Sequence, residues 1–332
     1  MFGPYRDVLR APGARAFTSA GFVGRLSISM MGLGVVLLLT ARGESYAVAG
    51  TVAASFALAA AIGGPVVSGF MDRHGQSRVL PWAVGIYTVC MVGLIISLNS
   101  KSPLWIAVPL AIGAGMVMPN FGALIRARWA HVLPGSRGIH VAYAWESVLD
   151  EIVFVVGPPL ATMLALQVHP AAALVVSVMV VLVGAGLLVP QRTSEPAPHG
   201  RAKRAGGAAV RNPGMPLLFG TFVFVGGVFG SFEVVTVAFA QEQDARSATG
   251  VLLALYAFGS LLAGMVYGVL SPPEFHGRRM ILMLTLMAVV TFGFPVAPTV
   301  LVLAPVALLA GLAVSPVLIS GTALTERIVP SA

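Results

Sequence analysis

The sequence has a single cysteine, Cys90, and it lies inside an apolar run, so a disulfide framework and a thiolate metal site are both excluded. Charge is nearly as scarce. Of the 332 residues only 10% are Asp, Glu, Lys or Arg, against 57% hydrophobic, and the mean hydropathy is +0.91. A water-soluble globule of this composition would lack the polar residues needed to cover itself. Strands of alternating polarity are also missing, so bilayer-spanning segments must be helices, which satisfy their backbone internally. The histidines, His74, His131, His140, His169, His199 and His276, show no metal-ligand spacing, and no catalytic constellation emerges. No metal, no cofactor and no enzyme activity are therefore expected. The first apolar run follows Arg6, Arg10 and Arg15, exceeds a signal-peptide core in length and has no small-residue cleavage site, which predicts an uncleaved start.

What is present is a series of long apolar runs. A stretch of about 20 such residues crosses the hydrocarbon layer. Ten spans are predicted, at roughly 16–40, 46–70, 79–98, 104–126, 140–166, 170–189, 215–240, 248–270, 280–297 and 299–324. The fold class is an all-α integral membrane protein of two pseudo-repeated helix bundles, 1–190 and 213–332, joined by a basic linker over 191–212 that reads as mobile. With the N-terminus cytoplasmic, only Arg42, Lys101 and Arg246 fall outside, Arg25 lies within a span, and the remainder of the 20 Lys and Arg face inward. The positive-inside rule favours that orientation in the plasma membrane, and it accounts for the net charge of +8 without nucleic acid.

The two halves repeat. At an offset of 200, Gly50 meets Gly250, Ala54 meets Ala254, Phe56 meets Tyr256, Ala57 meets Ala257, Gly64 meets Gly264, and Arg78 meets Arg278. Pro119 and Leu133-Pro134 match Pro316 and Val329-Pro330 at offsets of 196 to 197. The first half continues through two more spans beyond this point and the second does not, so the expectation is ten helices of an architecture of twelve.

Polar residues inside or between the spans carry the functional reading. Arg25 within the first span costs at least about 2.5 kcal/mol unless paired or hydrated. It lies about 4.5 Å to the cytoplasmic side of its span's centre, at 1.5 Å per residue. Asp150 of the fifth span lies at the same depth, and Glu146 is one turn further out on the same face, so either acid is a candidate partner; snorkelling of Arg25 is the alternative. Glu233, in the seventh span with no basic residue evident at its level, is a candidate proton site, or else a water-exposed cavity glutamate or a hydrogen-bonded structural group. Gly226 and Gly230 form a small-xxx-small face, and Gly113-Ala114-Gly115 also suits helix packing.

Between the second and third spans the chain reads Ser68-Gly69-Phe70-Met71-Asp72-Arg73-His74-Gly75-Gln76-Ser77-Arg78. Together with the helix pattern, the repeat and the central linker, Asp72, Arg73 and Gly75 make the chain resemble the major facilitator superfamily of secondary transporters. Ser68 stands where the family pattern has glycine, with Gly69 one step late, and Gln76 and Ser77 replace its basic pair before Arg78. The resemblance implies that Gly69, Asp72, Arg73, Gly75 and Arg78 form a cytoplasmic gating latch, with Arg73, Arg126 or Arg128 as partners for Asp72. A solvated turn that only sets topology is the alternative. It also implies that Ser29, Asn120 and Thr236 line a central cavity. Gly157-Pro158 resembles the centre of the helix-five motif of proton-coupled drug antiporters, which suggests efflux. The expected partners are a small-molecule substrate, protons and the lipid bilayer, with the protein a monomer; the few polar groups hint at an amphiphilic or apolar substrate. A nutrient symporter and a non-transporting sensor or remnant are the alternatives.

Overall fold

The computed structural model describes residues 3–100, 102–134, 138–198, 214–270, 276–294 and 296–328. Lys101, Arg137, the linker stretch 199–212, Pro272 and Val329-Pro330 lie outside the described residues. Among the described residues the regular structure is helical, with no strands. Eight helical stretches are long and apolar enough to cross a membrane, and the shorter apolar helices Ala172–Leu188 and Met280–Thr291 stand at the sixth and ninth predicted spans.

The chain divides into two compact units, Met1–Arg201 and Ala202–Ala332. In the first unit the helices are α1 (Gly3–Val8), α2 (Ala14–Ala41), α3 (Tyr46–His74), α4 (Gln76–Asn99), α5 (Leu104–Val117), α6 (Phe121–Val132), α7 (Gly138–Gln167) and α8 (Ala172–Leu188). Helix α2 is the hub, packed by α8, α7, α3 and α6, while α5 packs on α3 and α4. Large apolar side chains such as Leu58, Ile62, Trp82 and Val89 are exposed along α3 and α4. That outward apolar surface suits lipid, where a membrane helix has no water to avoid.

The second unit contains α9 (Gly214–Glu242), α10 (Ala248–Leu270), α11 (His276–Thr291), α12 (Val300–Gly311) and α13 (Val314–Ile328). Here α10 packs on α12 and α13, and α11 on α13. One close crossing has the same form in both units. A Cβ on Gly115 of α5 would lie 2.3 Å from the Phe56 carbonyl oxygen of α3, and one on Gly311 of α12 would lie 1.9 Å from the Tyr256 carbonyl oxygen of α10. Phe56 and Tyr256 are the pair that the sequence repeat aligns. Gly226 and Gly230 of α9 make no such approach: among the described residues nothing lies within 4 Å of a Cβ at either, so the expected packing face is exposed.

Two elements differ from their sequence expectation. The fourth span breaks at Met118-Pro119-Asn120, because Pro119 has no N–H to continue the ladder and drives Met118 to an extended ψ of 122°. Asn120 restarts the helix, its side chain accepting from the Ala123 N–H at 3.0 Å. The polar stretch 68–78 is mostly helix, not loop: α3 runs to His74 and α4 begins at Gln76, with Gly75 alone between them. Gly75 has φ 89°, a conformation that side chains with a Cβ rarely adopt. Arg73 and His74 occupy the last turn of α3, where positive charge suits the helix dipole.

Candidate functional site

Helix periodicity brings one face of α2 against one face of α7. On α2, Thr18 and Arg25 are seven residues apart and so share that face; on α7, Glu146 and Asp150 are one turn apart. Arg25 pairs with Glu146 through its Nη2, and its Nη1 lies 3.1 Å from Asp150 Oδ1. Nη1 also donates to the Glu146 backbone carbonyl at 3.4 Å. Glu146 is completely buried and accepts two further bonds at Oε1, from Trp129 Nε1 at 2.8 Å and Thr18 Oγ1 at 3.3 Å. Asp150 is shared: its Oδ2 accepts from Arg126 Nη2 of α6 at 2.7 Å.

The four charges alternate from the core outward. The side chains of Glu146 and Arg25 are 0% and 4% exposed, whereas those of Asp150 and Arg126 are 35% and 37% exposed. A buried guanidinium is tolerable here because each carboxylate faces it at contact distance and the acid's spare lone pairs are filled by Trp129 and Thr18. Both candidate acids are therefore engaged with Arg25, and Glu146 is the buried one. Ser29, one turn beyond Arg25, donates to the Leu26 carbonyl at 3.1 Å. A Cβ on Gly157 of α7 would fall 1.9 Å from Ser29 Oγ, so α2 and α7 touch there through the absence of a side chain.

A second polar cluster lies at the α3–α4 junction. Arg128 of α6, fully buried, donates Nε to Gln76 Oε1 at 2.9 Å, Nη1 to the Gln191 carbonyl at 2.7 Å and to Ser194 Oγ at 2.8 Å, and Nη2 to the Leu188 carbonyl at 3.3 Å. Glu195 Oε1 accepts from the Ser77 N–H at 2.8 Å, capping the first turn of α4. The start of the linker, including the short 3-10 turn Arg192–Ser194, is thus docked on the first unit.

The latch residues sit beside this cluster but outside it. Asp72, Arg73 and Arg78 are exposed, and no partner for Asp72 is found among the described residues. Arg126 and Arg128, two expected partners for Asp72, are instead committed to Asp150 and to the Gln76–Ser194 cluster. Asn120 is spent on capping α6. In the second unit Glu233 of α9 is half-buried and has an interaction partner, and Thr236, one turn on, is fully buried with its hydroxyl unpaired. Sequence reasoning missed Thr18, Trp129, Gln76, Ser194 and Glu195. Only Thr18 carried a signal, its seven-residue spacing from Arg25.

The family model described as Major Facilitator Superfamily matches residues 17–332. The chain belongs to this superfamily of membrane transporters. Among solved structures, it is similar to a bacterial homologue of the human lysosomal transporter Spinster, in an inward-facing and occupied conformation. The identity is 15%, the TM-score 0.56, and the match covers 98% of this chain and 79% of that one. An auto-inhibited peptide transporter of the POT family matches at 15% identity and a TM-score of 0.45 over 83% of this chain; the chain spans 57% of that transporter's length. Among curated proteins no match is found. The chain is thus multi-pass and, among the described residues, helical, with a two-arginine, two-acid network in its first unit whose inner pair, Arg25 and Glu146, is buried.

Proposed function

We propose that the protein is a secondary transporter that moves a small molecule across the plasma membrane by alternating access, coupled to protons and running outward. The halves 1–190 and 213–332 would be the moving bodies, joined by 191–212, with the N-terminus cytoplasmic as the arginine distribution favours. The observation that carries this is the Arg25–Glu146–Asp150–Arg126 network. Ionisable groups inside spans are costly and mark substrate or proton pathways, and this network grades from a sealed core to a half-exposed acid and base. Glu233 is the proposed proton site in the second unit. The outward direction is favoured by the resemblance of Gly157-Pro158 to the antiporter motif.

The test is flux in proteoliposomes of known orientation under an imposed pH gradient, across a panel of amphiphilic compounds. Proton-driven movement away from the cytoplasmic face, lost in Glu233→Gln with binding retained, is the expected result. Uptake driven in the opposite direction would make the protein a nutrient symporter. Absence of gradient-dependent flux for every compound would leave a non-transporting membrane protein.

A further inference from the structure

We infer that four arginines around the α1–α2 turn, Arg6, Arg10, Arg15 and Arg192, form a docking surface for the headgroups of anionic phospholipids. The inference does not depend on what the protein transports, and the orientation proposed above decides only which leaflet supplies the lipid.

Depth places the turn among headgroups. Helix α2 has 28 residues and is about 42 Å long at 1.5 Å per residue. That matches a hydrocarbon core together with both headgroup layers, about 40–45 Å. The first turn of α2 therefore lies in one headgroup layer, and Thr18 at its inner edge. On α7 the same level is marked by Glu146, which accepts from the Thr18 hydroxyl. Trp145 precedes Glu146, and Tyr5 of α1 rests on it with ring centroids 5.8 Å apart. Helix α1 is thus held against α7 at the level of the headgroups, not beyond them. Tyr and Trp are enriched in membrane proteins at that level.

The residues of α1 sort by face. Tyr5 touches α7 and Val8, three residues on, is buried, while Arg6 and Arg10, four apart, are exposed. Gly13, with φ 75°, then turns the chain into α2. The linker arrives at the same turn. A Cβ on Gly13 would lie 3.7 Å from Ser194 Cβ, so Arg192, exposed two residues before Ser194, joins Arg10 and Arg15, exposed on either side of Gly13. Setting the orientation of the chain requires only that arginines lie on one side of the bilayer. It does not require α1, the start of α2 and the linker to bring them to one turn.

Nearby acids leave this charge standing. Asp7 lies 3.4 Å from Arg10, but the two side chains are 71% and 58% exposed, and such a pair is weak. Glu195 is turned away to the Ser77 N–H. Arg6, Arg15 and Arg192 have no ion pair among the described residues. A guanidinium donates two parallel bonds to a phosphate group, and phosphodiesters are the anions that a headgroup layer supplies. An acidic protein would have to reach the patch through that layer.

The full chain is released from nanodiscs of phosphatidylcholine and phosphatidylglycerol in equal amounts, and the lipid it retains is counted by native mass spectrometry. Hydrogen exchange in discs of either lipid locates the contact. Phosphatidylglycerol is expected to be retained over phosphatidylcholine and to slow exchange over 5–16 and 192–195. Each of Arg6→Gln, Arg10→Gln and Arg15→Gln should weaken that retention about fivefold, and the three together about a hundredfold. These side chains are exposed, so the variants should fold; if the triple variant does not, the single ones give the same readout. Arg278→Gln, at an exposed arginine of the second unit, should leave retention unchanged. Equal retention of the two lipids, a triple variant that keeps the preference, or a loss in Arg278→Gln as large as that in Arg10→Gln would overturn the surface. So would displacement of the lipid by soluble polyaspartate, which would assign the patch to an acidic protein.

Discussion

Gly115 and Gly311 do the same work in two different units: each lets its helix close onto a backbone carbonyl, that of Phe56 in one and Tyr256 in the other. A Cβ at either position would overlap backbone, which cannot rotate out of the way as a side chain can. Gly115→Ala and Gly311→Ala are each expected to destabilise by about 1–3 kcal/mol, the usual cost of overpacking, read as a fall in thermal unfolding temperature in detergent. Gly50→Ala and Gly64→Ala, which meet nothing within 4 Å, are the controls and should behave as wild type.

Removing one partner of the buried pair should be worse than removing both. Glu146→Met leaves Arg25 without its buried carboxylate and is expected to cost about 3–5 kcal/mol, whereas Arg25→Met with Glu146→Met together should recover much of that loss. A double-mutant cycle in unfolding experiments checks this. Additive losses would show that the two side chains do not act as a pair.

Gly75 should tolerate no side chain, for two separate reasons. Its φ of 89° is strained for any residue with a Cβ, and that atom would lie 2.9 Å from Glu195 Oε1, the oxygen that caps Ser77. Gly75→Ala is expected to cost about 1–3 kcal/mol and to raise hydrogen exchange at Ser77 and its neighbours. Gly69→Ala, in open space on the preceding helix α3, should do neither.

The cluster around Arg128 predicts a protease-sensitive junction. Arg192 is exposed while Ser194 beside it is buried against Arg128. In Arg128→Lys, which cannot reproduce the fork of donors, trypsin should cut at Arg192 faster than in the parent. Unchanged cleavage would mean that the 3-10 turn holds without the arginine.

These contrasts mark what a sequence can tell. Helix positions follow from apolar run lengths, because bilayer thickness fixes them. That Arg25 needs an acid follows from its burial, and depth along two helices narrowed the choice to Glu146 and Asp150. The ranking between them was not readable, since it depends on the rotation of α7 that turns Glu146 toward Trp129 and Thr18. The stretch 68–78 misled for a different reason. Charged residues suggest a loop, yet at a membrane surface a helix can continue through them, and the break waits for the one residue whose backbone requires it. Glu195 and Ser194 gave no signal at all, for a polar residue in a basic, Pro-rich stretch looks the same whether docked or free.

The four charges of the first unit have an electrical consequence. Arg25 and Arg126 cancel Glu146 and Asp150, so if the network shifts as one body across the bilayer, the membrane potential does no net work on it. Each unit charge moved through 100 mV would otherwise be worth about 2.3 kcal/mol. Any voltage dependence of the proposed flux should accordingly come from charges other than these four.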